Sequence, residues 1–387
     1  MATTVGVAGH SWRGEVTPWG AVVPWDGSAT LDWYIAADDR WHVPSKETAV
    51  RQVRIGGTPV VATRVRIPSG DAVHRTWTVA DAGGHTVVEV HNDSPLPIAV
   101  AFGRADLRTG RPPTDIPIQG IDLPRESTIV VPIGHRSSVT VALAHNRAAA
   151  GPLPPTLSTA ESVVNGWRAT SDRASRLDLP DVASVEAVVT ARCEMQLAGP
   201  ADPVADPAGF VLGVAELVRM GERPDVWVAD VAAAAADAAR QGGGADVDAA
   251  LAAAAMVFHR ASEHRARRDV EDIATKPAPA GDDEVARDGI RAVAAVERRL
   301  ASDGRLLPRG LPSSWLGVGF ECHGVQVGPA STISFAVRWH GARPAVLWEV
   351  TGEPIELTAP VLAPGWRTED AAGETLWPAP EPVLWPP

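Results

Sequence analysis

Lysine is almost missing from this chain of 387 residues. Lys46 and Lys276 are the only two, and arginine makes up the rest of its 35 basic side chains. Tyrosine occurs once, at Tyr34, against 14 tryptophans and 5 phenylalanines. The two cysteines, Cys193 and Cys322, are too few and too far apart for a disulfide framework or a cysteine-ligated metal. Nothing approaches the roughly 20 apolar residues of a membrane span, and Met1–His10 has neither the basic nor the apolar segment of a signal peptide. Basic runs are equally scarce. Arg265, Arg267 and Arg268 are followed at once by Asp269, Glu271 and Asp272, the pattern of a solvated helix face. With a net charge of −12, nucleic acid is a poor partner, because phosphates demand clustered cations. The expectation is a reduced, cytoplasmic protein without a membrane span and without a cofactor.

The sequence contains enough apolar residues, 45%, for more than one core. Residues 1–150 are electrically neutral, with 14 acidic and 14 basic side chains, whereas 151–305 hold 25 against 17 and 306–387 hold 8 against 4. Pattern changes fall at the same places. Val50–Ile55, Pro59–Ile67, Ala72–Val79, Thr86–His91, Ile98–Phe102, Ser127–Val131 and Ser138–Ala144 are short, β-branched and often alternating, which predicts an antiparallel β-sandwich over 1–150. After the proline-rich stretch 151–155 come six helical segments: Thr159–Ser175, Asp181–Ala198, Pro207–Gly221, Pro224–Gln241, Asp246–Thr275 and Asp282–Asp303. Prolines open some of them and glycines close others. Lys276–Gly281 reads as a linker. From 306 the chain returns to β, with a hairpin over Thr332–Val350 and a proline-rich tail from Ala359 expected to lie extended on the surface. The fold class is therefore α+β and multidomain: sandwich, α-helical hairpins, then a β-rich segment.

Three stretches carry a resemblance: PWGAVVPWDGSATLDWYIAADDRWHVP at 18–44, VVNGWRATSDRASRLDLPD at 163–181, and LPSSWLGVGFECHGVQVGPASTISFAVRWHGARPAVLWE at 311–349. With this element order they resemble the bacterial glucoamylase-like and glycogen-debranching-like glycoside hydrolases, which place a β-sandwich before an (α/α)6 barrel. The resemblance implies a partial α/α toroid, since a complete barrel has twelve helices and about six are found here. It also implies a carbohydrate-active protein, either a glycoside hydrolase acting on an α-glucan or related oligosaccharide through two carboxylates, or a catalytically degenerate descendant.

Candidate residues follow from sugar chemistry, in which flat aromatic faces stack on pyranose rings and carboxylates accept hydroxyl hydrogens. Trp12, Trp19, Trp25, Trp33 and Trp41 are interleaved with Asp26, Asp32, Asp38 and Asp39. Further on, Glu321 and His323 share one face of a strand, with Trp315 upstream and Cys322 turned the other way. The expected carboxylates are Glu321 with Asp26 or Asp32. The expected sugar-binding residues are Trp25, Trp33, Trp315 and His323. His259, Glu263 and His264 do not have the spacing of a zinc-protease helix. The competing reading is a non-catalytic scaffold that binds a protein partner or a second copy of itself through its tryptophan- and proline-rich end.

Overall fold

Alternation of Val, Ile and Thr with polar residues makes strands wherever one face must be dry and the other wet. In the computed structural model, which describes residues 2–115, 128–147, 149–242, 244–274 and 289–380, this rule governs most of the chain. The expected linker at Lys276–Gly281, the start of the last helical segment and the end of the tail lie outside the described residues. The fold is mixed α and β with several sheets, in two compact units, 1–168 and 169–387, so all the helices after the first share one unit with the C-terminal strands.

Unit 1 contains β1 (Thr3–Gly6), β2 (Arg13–Val16), β3 (Val22–Pro24), β4 (Trp33–Ala36), β5 (Trp41–His42), β6 (Val50–Arg54), β7 (Val61–Ile67), β8 (Gly70–Val79), β9 (His85–Asn92), β10 (Ile98–Phe102), β11 (Arg108–Thr109), β12 (Ile129–Ile133), β13 (Ser138–Ala144) and β14 (Gly151–Pro152). A four-stranded sheet (β12-β10-β4-β5) and a seven-stranded one (β14-β11-β13-β9-β8-β7-β6) contribute to one core. Trp33, Ile35, Val100 and Phe102 meet Val61, Val65, Val88 and Val141 there. Each sheet therefore keeps an outer face. Helix α1 (Ala160–Ser171) begins in this unit, and its Ala160, Val163 and Val164 cover the part of the large sheet around Trp77, Val87 and Ala142. Elsewhere on that face Arg51, Arg64 and Arg66 are exposed among the described residues.

Unit 2 contains β15 (Arg176–Asp178), α2 (Val182–Ala198), α3 (Pro207–Met220), α4 (Val228–Gln241), α5 (Ala245–Arg260), α6 (His264–Ala274), α7 (Ile290–Leu300), β16 (Ala301–Ser302), β17 (Arg305–Leu306), β18 (Phe320–Gly328), β19 (Ser331–His340), β20 (Arg343–Gly352), β21 (Leu357–Ala359), β22 (Ala363–Thr368) and β23 (Ala372–Leu376). Asp181 and Asp206 cap α2 and α3 by accepting backbone N–H groups, and Gly221 closes α3 in the left-handed region. The segment expected as one helix over Asp246–Thr275 is two. Ser262, at φ 61°, is left-handed, and the Glu263 N–H reaches back to the Phe258 carbonyl, so α5 ends and α6 starts afresh. The tail expected to lie extended from Ala359 folds instead into β22 and β23. Trp348, Trp366 and Trp377 meet edge to face at 5.3 and 5.4 Å, and that aromatic burial holds the segment on the sheet.

A charged cluster ties the helices of unit 2 together. Arg192 on α2, Glu216 and Arg219 on α3, and Glu297 on α7 are all buried. Arg192 Nε donates to Glu216 Oε2 at 2.7 Å and its Nη2 to Glu297 Oε1 at 2.8 Å, and Arg219 donates to both glutamates. Burial pushes the Glu216 carboxyl up, but the two guanidiniums outweigh it and hold the group below its ordinary range.

Candidate functional site

Period-2 alternation on β4 decides which of the interleaved tryptophans and aspartates can work together. Leu31, Trp33 and Ile35 point into the core, so Asp32, Tyr34 and Ala36 point outward. Trp33 is 1% exposed, its indole N–H donating to the Trp19 carbonyl at 2.8 Å and its ring 4.5 Å from His74. It is a core residue and offers no face to a sugar. Trp12 is taken up in a parallel stack on His145 at 3.9 Å. Trp25 is 54% exposed. Next to it, Asp26 accepts from the Ser28 N–H at 2.9 Å and from Arg147, and these bonds, the backbone one first, lower its carboxyl below the usual range.

Asp32 is different. Among the described residues no side-chain hydrogen bond or ion pair reaches its carboxylate, and burial alone pushes its pKa up. Tyr34, two residues on and on the same face, has its phenol pushed up by burial and by the Asp32 charge. The register sets Ala101 opposite Tyr34, and Ala99 and Trp41 on the two sides of Ala36. Ala99, Ala101 and Val130 form a buried apolar floor against which Tyr34, Ala36 and Trp41 pack. Unit 1 thus presents a small-residue floor, two half-buried aromatic side chains and one carboxylate free to accept hydrogen bonds. Tyr34 was missed from the sequence, although its spacing from Asp32 on an alternating strand is a sufficient signal.

The other expected residues belong to unit 2. Trp315 is 4% exposed, packed edge to face on Phe320 at 5.1 Å with the Arg299 guanidinium over its ring. Glu321 and His323 do share the outer face of β18, with His323 Nε2 3.5 Å from Glu321 Oε1. Cys322 faces the core, and burial pushes its thiol up. Glu321 is already occupied: Arg338 Nη2 donates to it at 2.7 Å and Arg176 Nη2 at 3.3 Å. The Arg338 bond first, then His323, holds its carboxyl below the usual range, so it stays ionised at neutral pH and is a poor general acid. Asp26 and Asp32 are in one unit and Glu321 is in the other.

The large sheet shows a feature with no counterpart in the linear sequence. On its open face the register sets Arg51 directly opposite Arg64, Arg66 opposite Asp71, and Arg75 opposite Glu89. Among the described residues no His, Cys, Asp or Glu side chains are grouped to hold a metal ion, and no helix is long and apolar enough to cross a membrane. No protein-family model and no curated protein matches the chain.

Proposed function

We propose that this is a carbohydrate-binding protein of glycoside-hydrolase-like architecture, catalytically degenerate, with its sugar site on the outer face of β4, β5 and β10. The helices of unit 2 are, on this reading, the remnant of an α/α toroid. The observation that carries it is Asp32. A half-buried carboxylate without a partner is a standing cost unless a ligand supplies hydrogen bonds. Here it stands two residues from the only tyrosine, at one end of a face where Tyr34, Ala36 and Trp41 pack on an apolar floor of Ala99, Ala101 and Val130. Degeneracy follows from the carboxylates. Glycoside hydrolysis needs two cooperating ones, and while burial pushes the Asp32 carboxyl up, Asp26 is committed to Ser28 and Arg147 and Glu321 to Arg338 and Arg176.

The test is calorimetric titration against maltodextrins, trehalose and β-glucan oligosaccharides, repeated with Trp41→Ala and Asp32→Asn. Saturable binding that weakens about tenfold or more in either variant supports the reading, in line with the loss of one stacking or charge-assisted contact. Absence of binding by the parent protein to every glycan overturns it.

One observation favours the second reading, a scaffold. Unit 2 has a shallow groove of about 390 Å³ lined by Pro364, Trp366, Leu376, Trp377 and Pro378 among others. Aromatic and proline walls of this kind suit a protein partner or a second copy. Concentration-dependent association in sedimentation, lost in Trp366→Ala, would shift the assignment to it.

A further inference from the structure

We infer that the open face of the seven-stranded sheet binds an acidic polysaccharide, a chain of sugars carrying carboxylates, at a site centred on Arg64. The inference is independent of the sugar site on β4, which lies on the other sheet.

On β6, β7 and β8 the core-facing residues are Gln52, Thr63, Val65, Ala72 and His74, so Arg51, Arg64, Arg66 and Arg75 all emerge on the opposite side. Like charges directly opposite across a ladder are destabilising, yet Arg51 and Arg64 are such a pair. Asp71 relieves part of the strain, accepting from Arg51 Nη2 at 2.9 Å and from Arg66 Nη1 at 3.4 Å. Arg75 pairs with Glu89 at 3.3 Å. Arg64 has no counter-ion among the described residues and is exposed. Four guanidiniums thus face two carboxylates. Neighbouring strands are about 4.8 Å apart and alternate residues about 6.6 Å apart, so the arginines sample a flat patch at the spacing of charges along an oligosaccharide.

The chemistry of the patch selects among polyanions. Asp71 and Glu89 interrupt the arginines, and His91, Ser138 and Thr140 continue the same rows across β9 and β13. A guanidinium fork takes a carboxylate in two parallel bonds, while the interspersed acceptors and hydroxyls suit the free hydroxyls between the charges of a uronate chain. A phosphate at every unit, as in nucleic acid, would meet the two carboxylates instead. Among the described residues in these open rows no Trp, Tyr or Phe stands beside the arginines, and His91 alone offers bases a ring to stack on. The net charge of −12 does not prevent binding, because at physiological salt the field of distant charges is screened beyond about 8 Å and the local surplus decides.

The experiment uses the full chain with galacturonate hexamer as the probe, alongside maltohexaose, a duplex DNA and poly-glutamate, in 50 and 200 mM salt. Galacturonate hexamer should bind saturably, more weakly at the higher salt, and at least tenfold better than the other three. Arg64→Glu should abolish that preference, whereas Arg223→Glu, an exposed arginine on unit 2, should leave it unchanged. Both positions are exposed, and an unchanged thermal transition shows that the variants are folded. Failure of the hexamer to bind, equal or tighter binding of DNA or poly-glutamate, or an unaffected Arg64→Glu variant overturns the assignment.

Discussion

Arg219 of α3 and Glu297 of α7 are bound by two parallel hydrogen bonds, Nη1 to Oε2 at 2.8 Å and Nη2 to Oε1 at 2.9 Å, between residues both less than a tenth exposed. The same Oε1 accepts from Arg192 Nη2 and from Ser175 Oγ, so one carboxylate anchors α2, α3, α7 and the approach to β15. A buried ion pair of this kind is weak evidence of net stabilisation, because desolvation offsets most of the attraction. Removing one partner is another matter, since it strands charge in a dry interior. Glu297→Gln leaves two guanidiniums sharing Glu216 and should destabilise unit 2 by about 3–5 kcal/mol in chemical denaturation. The fully exposed pair Arg223–Asp225 makes the control, and Asp225→Asn should leave the denaturation curve where it was. An equal response to both substitutions would contradict the buried-network account.

His74 gives unit 1 a pH dependence. Its ring is buried beside Trp33 and Thr76, and burial pushes its pKa down to about 3 from an ordinary 6.5. The unfolded chain therefore binds a proton that the folded one refuses. Stability from this residue is complete above pH 6.5 and falls as the pH drops toward 3, by about 1.4 kcal/mol per pH unit for the single proton. Thermal melts between pH 7.5 and 4.5 should show the decline in the transition of unit 1. In His74→Gln the slope should fall by that one proton, whatever the variant costs in absolute stability.

How much of this was legible in the sequence depends on whether the signal is local. The seven β segments were readable because alternation within one strand reports which side is dry. Glu321 and His323 sharing a face followed from the same rule. Applied to β4, that rule separates Trp33 from Asp32 and joins Asp32 to Tyr34, but tryptophan content drew attention to the wrong residue. The arginine face was invisible for a different reason: Arg51, Arg64 and Arg75 are 11 to 13 residues apart, and only hairpin register places them side by side. Glu297 lies 78 residues from Arg219 on another helix, and no local pattern reports that the two meet. Burial of Trp377 arises from edge-to-face packing with Trp366, across the turn between two short strands, which no periodicity reports.

Gly84 separates backbone strain from mere exposure. At φ 92° it occupies a region that L side chains avoid, and a Cβ there would stand 2.7 Å from the His145 imidazole, which is itself stacked on Trp12. Gly84→Ala should destabilise unit 1 by about 2–3 kcal/mol, the sum of the conformational penalty and the displaced stack. Gly27, at φ 74° with nothing within 4 Å, pays the backbone part alone, and Gly27→Ala should cost about 1 kcal/mol. Comparing the two melts isolates the contribution of the His145 ring.

Stability and binding are in conflict at Asp32. Burial raises its folded pKa with no partner in compensation, so the folded protein holds this proton more tightly than the unfolded chain does. Stability from this group is therefore greatest in acid and lost as the pH rises through the carboxylate range, the reverse of the trend at His74. At neutral pH the ionised group is a liability, and Asp32→Asn should raise the stability of unit 1 by up to about 1 kcal/mol, kept small by its partial exposure to solvent. The same variant should lose glycan binding. A structural carboxylate would behave otherwise: its removal would destabilise the fold and leave no ligand to lose. A higher melting temperature together with weakened titration is the signature of a residue kept for its ligand, and a lower melting temperature would rule that role out for Asp32.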